Sequence, residues 1–201
     1  MNPFSESNIL VQIFISPGGN RLRAGWRLLL QSTLWILFSL CLSVPISIAL
    51  LLINPEFLAS PGQLPPEYLL LATIGETFAI TTSVFLARRF LDKKSIESLG
   101  LKLGFQALVD ILAGIVITFL QMGLIYLFML NLGWLTFKGF AWEFDPPGTV
   151  IKGILIFLAM FLLVGWHEEL LSRGYHLQTL ASGLNLFWGV IISSAVFGLL
   201  H

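Results

Sequence analysis

The chain has little of what a soluble domain uses to stay in water. Charged residues make up only 11% of its 201 residues, and eleven Lys and Arg are balanced by eleven Asp and Glu. With a formal net charge of zero, there is no basic excess to hold a phosphate backbone, and no nucleic-acid partner is expected. A single cysteine, Cys41, cannot close an internal disulfide or build a zinc–thiolate cluster. Inside an apolar run it reads as a small core or lipid-facing residue. The first twenty residues carry no Lys or Arg, and the apolar run that follows exceeds the core of a cleavable signal peptide, so it reads as a retained span. No Asn-x-Ser/Thr sequon, low-complexity tract or internal repeat occurs.

Apolar residues are abundant instead. They form 56% of the chain, at a mean hydropathy of +0.88, which places it among multi-pass integral membrane proteins. Five apolar segments stand out, at about 28–53, 68–87, 107–132, 151–180 and 185–201. Lipid admits only helices at such lengths, so the expected fold class is all-α: a polytopic transmembrane bundle of about five helices. Pro45 is expected to kink the first, and Pro55, Pro61, Pro65 and Pro66 mark the loop after it. Arg21, Arg23 and Arg27 precede the first span, while Arg88, Arg89, Lys93, Lys94 and Lys102 follow the second. By the positive-inside rule the N-terminus and the 88–106 loop face the cytosol. Trp134, Phe140, Trp142 and Phe144 in the loop at about 133–150 suit an aromatic anchor at the far interface, with a substrate lid as the alternative. The last segment, about seventeen residues ending at His201 with no charged flank, is short for a span and reads as a helix cut off partway.

Against this background the carboxylates are conspicuous. Glu168 and Glu169 sit in an apolar run with Arg173 just beyond. Two mid-membrane acids and an arginine cost roughly 8–10 kcal/mol on the insertion scale, whereas the surrounding Leu, Ile, Phe and Val residues return only about 3–7 kcal/mol. Such a deficit has to be met by pairing or by enclosed water, which makes the cluster a candidate functional site. Glu76, in the middle of the second span, is either satisfied by neighbouring helices, kept protonated, or part of a pathway.

Helix geometry divides the acidic pair. Adjacent residues point about 100° apart, while Glu169 and Arg173 are i,i+4 neighbours in the favourable order. Arg173 is therefore expected to neutralise Glu169, leaving Glu168 to face elsewhere. With a turn at Ala181-Ser182-Gly183-Leu184, Glu168 lies fifteen residues before Gly183 and His201 eighteen after it. On antiparallel helices those offsets differ by only about 4–5 Å in depth. A carboxylate and an imidazole in a low-dielectric cavity suit water activation, one group taking the proton and the other orienting water or holding a metal. Phe197 and His201 share a helix face, which is equally compatible with packing. His167 reads as structural, and Leu171 stands where a zincin motif would need its second histidine.

The run Glu168-Glu169-x-x-x-Arg173 followed by Phe197-x-x-x-His201 resembles the CPBP family of CAAX-processing and bacteriocin-processing intramembrane metalloproteases, the type II CAAX prenyl endopeptidases. Arg173-Gly174-Tyr175, Ser193-Ser194 before Phe197-Gly198, and the lead-in from Arg89 to Ser98-Leu99-Gly100-Leu101 extend the resemblance over about residues 88–201. Residues 1–87 match it only as generic membrane helices. The resemblance implies that Glu168 and His201 activate water for peptide hydrolysis, that Glu169, Arg173 and Phe197 support them, and that a divalent metal such as zinc is bound at Glu168 and His201. It implies a membrane protein, lipidated protein or small peptide as substrate, met in the bilayer. A further family motif, a histidine followed four residues later by Asn or a similar polar residue, would lie beyond His201, so the 201-residue chain alone is expected to be inactive or impaired. Two other functions are compatible with the residues: a non-catalytic membrane scaffold or bacteriocin immunity factor, and a transporter using Glu76 and Glu168 as a proton relay.

Overall fold

A segment surrounded by hydrocarbon must satisfy its own backbone hydrogen bonds, and the helix does this alone. The computed structural model describes residues 9–16, 21–53, 55, 64–102 and 104–199. Eight α-helices run through them: α1 (Ile9–Phe14), α2 (Ala24–Ile53), α3 (Pro66–Leu86), α4 (Phe105–Asn131), α5 (Ala141–Phe144), α6 (Pro147–Glu169), α7 (Gln178–Gly183) and α8 (Leu186–Leu199). Among the described residues the only β pairing is an isolated bridge between Ile15 and Leu22. Four helical stretches are long and apolar enough to cross a membrane, namely Ala24–Ile53, Pro66–Leu91, Phe105–Asn131 and Pro147–Gly183, with Leu186–Leu199 a shorter apolar helix. The chain is thus an all-α, multi-pass membrane protein.

The expected segments are all present, with shifted limits. Proline explains two shifts: Pro66 opens α3 and Pro147 opens α6, because a ring at the first helical position loses no hydrogen bond. Much of the second half of the 133–150 loop is therefore helical, including the short α5. α2 runs unbroken through Pro45. The segment expected as one helix over 151–180 is not uniform: α6 passes into a π-helical stretch, Leu170–Leu177, and then into α7. The turn expected at Ala181–Leu184 lies later, because α7 persists to Gly183. A Cβ on Gly183 would collide with the Cβ of Ala24, and one on Gly189 would sit 2.9 Å from the Ala181 nitrogen. Glycine at both positions lets α7 approach α2 and α8 more closely than any side chain would allow.

Two compact units result: the described residues of Met1–Leu99 and Ile154–His201, and those of Gly100–Gly153. In the second, α4 has no buried residue, and Phe140 stacks on Trp142 at 4.7 Å between ring centroids. In the first, α2 and α3 form an antiparallel hairpin. Gln31 Nε2 donates to Ser83 Oγ at 3.1 Å, and Ser39 Oγ donates to Glu76 Oε2 at 2.9 Å, two rungs of one register.

The interior of the first unit is unusually polar. Beside Ala79, Ile80, Val84, Ala87 and Tyr175, it buries Arg27, Gln31, Ser83, Arg88, Asp92 and Thr179. Lipid accepts leucine as readily as a protein core does, so burial favours groups that need partners. A π-helical stretch at Ala87–Leu91, closed by Asp92 N–H donating to the Ala87 carbonyl at 3.0 Å, holds Arg88 and Asp92 inward. Asp92 accepts from Arg27 through Oδ1 and from Arg88 through Oδ2. Arg88 also donates to Ser98 Oγ at 2.9 Å and Gln178 Oε1 at 2.6 Å, and Arg27 to Ser182 Oγ at 2.8 Å. These bonds tie the start of α2, the end of α3 and α7 together. Partial burial, and then the guanidinium of Arg88, lowers the Lys94 pKa just outside the span. Leu99 is buried, and its carbonyl lies beside Gly174. Gly100 follows at a φ of 98°, a left-handed conformation that glycine adopts without strain.

Candidate functional site

The acidic pair sits where α6 gives way to the π-helical stretch, and its two members part there. Glu169 makes an ion pair with Arg173 on the outside of the unit, with side chains 58% and 65% exposed. Glu168 lines a cavity of 270 Å³ with Trp35 from α2, Glu76 from α3, His167, His176 and Phe197. Widened helical turns recur at functional sites because they re-aim side chains without ending the helix. Here the stretch begins directly after the acidic pair and buries Leu170, Leu171, Gly174 and Tyr175.

Phe197 reaches the cavity because α8 folds back against α7 and the π-helical stretch. This is the antiparallel return that the spacing predicts. His201, the other residue assigned to catalysis, lies outside the described residues, as does any contact it makes.

Trp35, Glu76, His167 and His176 line the cavity as well, although the sequence does not assign them to the site. His167, read as structural, places Nδ1 2.9 Å from Thr77 Oγ1. Thr77 donates its own proton to the Thr73 carbonyl at 2.7 Å, so its oxygen accepts here and the His167 proton resides on Nδ1. His176 is held by Gln31: the Gln31 amide nitrogen is directed to Ser83, so its oxygen accepts from His176 Nε2 at 3.1 Å. Glu76 accepts from Trp35 Nε1 through Oε1 and from Ser39 through Oε2. This supports the reading of a glutamate satisfied by neighbouring helices, yet Glu76 also lines the cavity. No sequence spacing links Trp35, Glu76 and His167; only the register of α2, α3 and α6 does.

A divalent ion needs converging ligands. Among the described residues no group of three His, Cys, Asp or Glu side chains is arranged to hold a metal, and the reading that pairs Glu168 with His201 depends on a residue beyond them. Cys41 is free and exposed, which fits a lipid-facing thiol.

Geometry therefore provides a cavity lined by two carboxylates, Glu76 and Glu168, by the imidazoles of His167 and His176, and by the rings of Trp35 and Phe197. No curated protein and no solved structure is significantly similar to the chain. Residues 150–201, about a quarter of the chain, match the family model described as type II CAAX prenyl endopeptidase Rce1-like. That match, over the segment that holds Glu168, Glu169, Arg173 and Phe197, is consistent with placement of the chain in the CPBP family.

Proposed function

We propose that the protein is an intramembrane endopeptidase that hydrolyses a peptide bond in a membrane-associated substrate, a lipidated protein or peptide of the CAAX type. One observation carries this reading: of two adjacent glutamates, only Glu168 lines the cavity, while Glu169 is engaged by Arg173 outside it. In the proposed step Glu168 takes a proton from water as the oxygen adds to the substrate carbonyl carbon. The C–N bond then breaks, and the departing amine receives that proton from Glu168, which regenerates the carboxylate. His201 would orient the water or stabilise the oxyanion. A divalent ion, zinc by ligand preference, would require His201 together with Glu168, and would polarise the carbonyl. Arg21 and Arg23 before α2, with Lys93, Lys94 and Lys102 after the second span, favour a cytosolic N-terminus.

The test is cleavage of a fluorogenic farnesylated peptide by the purified protein in lipid nanodiscs, with the product identified by mass. Glu168→Gln should lower turnover by about 10²–10⁴-fold, the usual contribution of a positioned base, with unfolding temperature unchanged. Full activity in that variant would refute the assignment of Glu168.

A further inference from the structure

The hydrolytic step written above leaves unused the imidazole of His176, which stands in the wall of the same cavity as Glu168. We propose that His176 Nδ1 is a second acceptor at the attacking water. Glu168 takes one proton of that water, and Nδ1 receives a hydrogen bond from its other O–H, so that an oxygen lone pair is aimed at the substrate carbonyl carbon. The second hydrogen stays on the oxygen, and the proton on Glu168 goes to the departing amine as before. This role rests on the hydrolytic reading.

Helix winding turns the two groups toward one side. Over the eight residues that separate them, a regular α-helix would leave Glu168 and His176 about 80° apart. Most of those steps belong to the π-helical stretch Leu170–Leu177, whose wider turns advance each residue by less than the α-helical angle and swing His176 back toward Glu168. Both therefore reach a single cavity of 270 Å³. That volume has room for a water, at about 30 Å³, beside a peptide group.

A directed chain of hydrogen bonds fixes the ring. Ser83 Oγ donates to the Ile80 carbonyl at 2.8 Å, so its oxygen accepts from Gln31 Nε2 at 3.1 Å. Gln31 Oε1 in turn accepts from His176 Nε2 at 3.1 Å. Gln31 and Ser83 are fully buried, so neither can exchange these partners for solvent. With the ring proton committed to Nε2, the neutral imidazole carries a lone pair on Nδ1. Nδ1 has no hydrogen-bond partner among the described residues, yet it is not sealed in the protein: the buried polar atoms left without partners are Arg27 Nε, Tyr175 Oη and Thr179 Oγ1. Because the ring forms part of the cavity wall, the space onto which Nδ1 opens is the cavity. A residue that only clamped the π-helical stretch to α2 would need the bond to Gln31 and nothing more.

Isosteric substitution separates this role from that of a clamp, because glutamine sets its amide where Nε2 stands and asparagine where Nδ1 stands. In nanodiscs with the farnesylated peptide, His176→Gln keeps the bond to Gln31. It should lower kcat by about tenfold, the scale of one lost hydrogen bond, with KM and unfolding temperature unchanged. His176→Asn keeps an acceptor toward the cavity and should hold kcat within about threefold of the parent while its unfolding temperature falls. A clamp requires the reverse order; that result, or parental kcat in His176→Gln, would overturn the proposal. Nitrogen NMR of histidine-labelled protein reads the ring without catalysis. His176, assigned by the loss of its signals in His176→Gln, should show a pyridine-type Nδ1 and a pyrrole-type Nε2, and a protonated Nδ1 would also overturn the proposal. If that signature is found but the parent cleaves no peptide, the hydrolytic reading falls and takes the role of His176 with it. If the parent cleaves and His176→Gln is equally fast, His176 alone falls.

Discussion

His167 donates to Thr77 through Nδ1, because Thr77 has already committed its only proton to the Thr73 carbonyl. The pair joins α6 to α3 and holds the His167 ring at the wall of the Glu168 cavity. Thr77→Val keeps the shape and removes the acceptor. Turnover should fall by about tenfold, the equivalent of one lost hydrogen bond of about 1.4 kcal/mol, with KM little changed. Thr77→Ser should restore it, and failure of the serine variant to do so would show that the threonine acts by packing alone.

The two glutamates should respond unequally. An exposed i,i+4 ion pair such as Glu169–Arg173 contributes about 0.3–0.5 kcal/mol. Glu169→Gln should therefore leave turnover within about threefold of the parent and stability nearly unchanged, in contrast with Glu168→Gln. Comparable losses in the two variants would mean that Glu169 turns inward during catalysis.

Among the described residues, Asp92 is the carboxylate that accepts from both the buried Arg27 and the buried Arg88. Asp92→Asn leaves two guanidiniums without their counter-charge and should destabilise the bundle by about 3–5 kcal/mol, measured by denaturant titration in mixed micelles. Arg88→Lys should also destabilise it, since a point-like ammonium cannot serve Asp92, Ser98 and Gln178 together. Wild-type stability in Asp92→Asn would show that the network orders side chains without holding the helices.

Close approach of α8 to α7 depends on Gly189. A methyl group there would sit 2.9 Å from the Ala181 backbone nitrogen, and backbone cannot move aside as a flexible side chain does. Gly189→Ala should cost about 1–3 kcal/mol and, by displacing Phe197 on the same helix, lower activity more than an equal loss of stability elsewhere. Gly198→Ala, at a position with open space around it, is the control.

Much of the fold was legible from apolar run length, since hydrocarbon thickness and backbone satisfaction leave one solution. Limits moved where proline opened a helix earlier than hydropathy alone indicates, at Pro66 and Pro147. The pairing of Glu169 with Arg173 was legible too, being set by four residues of a single helix. A one-residue offset separates His167 from Glu168 on a helical wheel, yet the fold brings both to the wall of one cavity, which no wheel shows. Trp35 and His176 gave no local signal.

What the sequence determined by itself was local or solvent-imposed: helical class, the number of long apolar helices, the acidic run, and the i,i+4 ion pair. Tertiary structure alone decided which of the costly polar groups share a space. Glu76, Trp35, His167, His176 and Glu168 come from three separate stretches of chain, and their meeting depends on helix register and on close packing at Gly183 and Gly189. The insertion cost of a carboxylate announces that a partner exists; only the packing of helices, fixed by shape and by the Arg27–Asp92–Arg88 network, determines which partner it is.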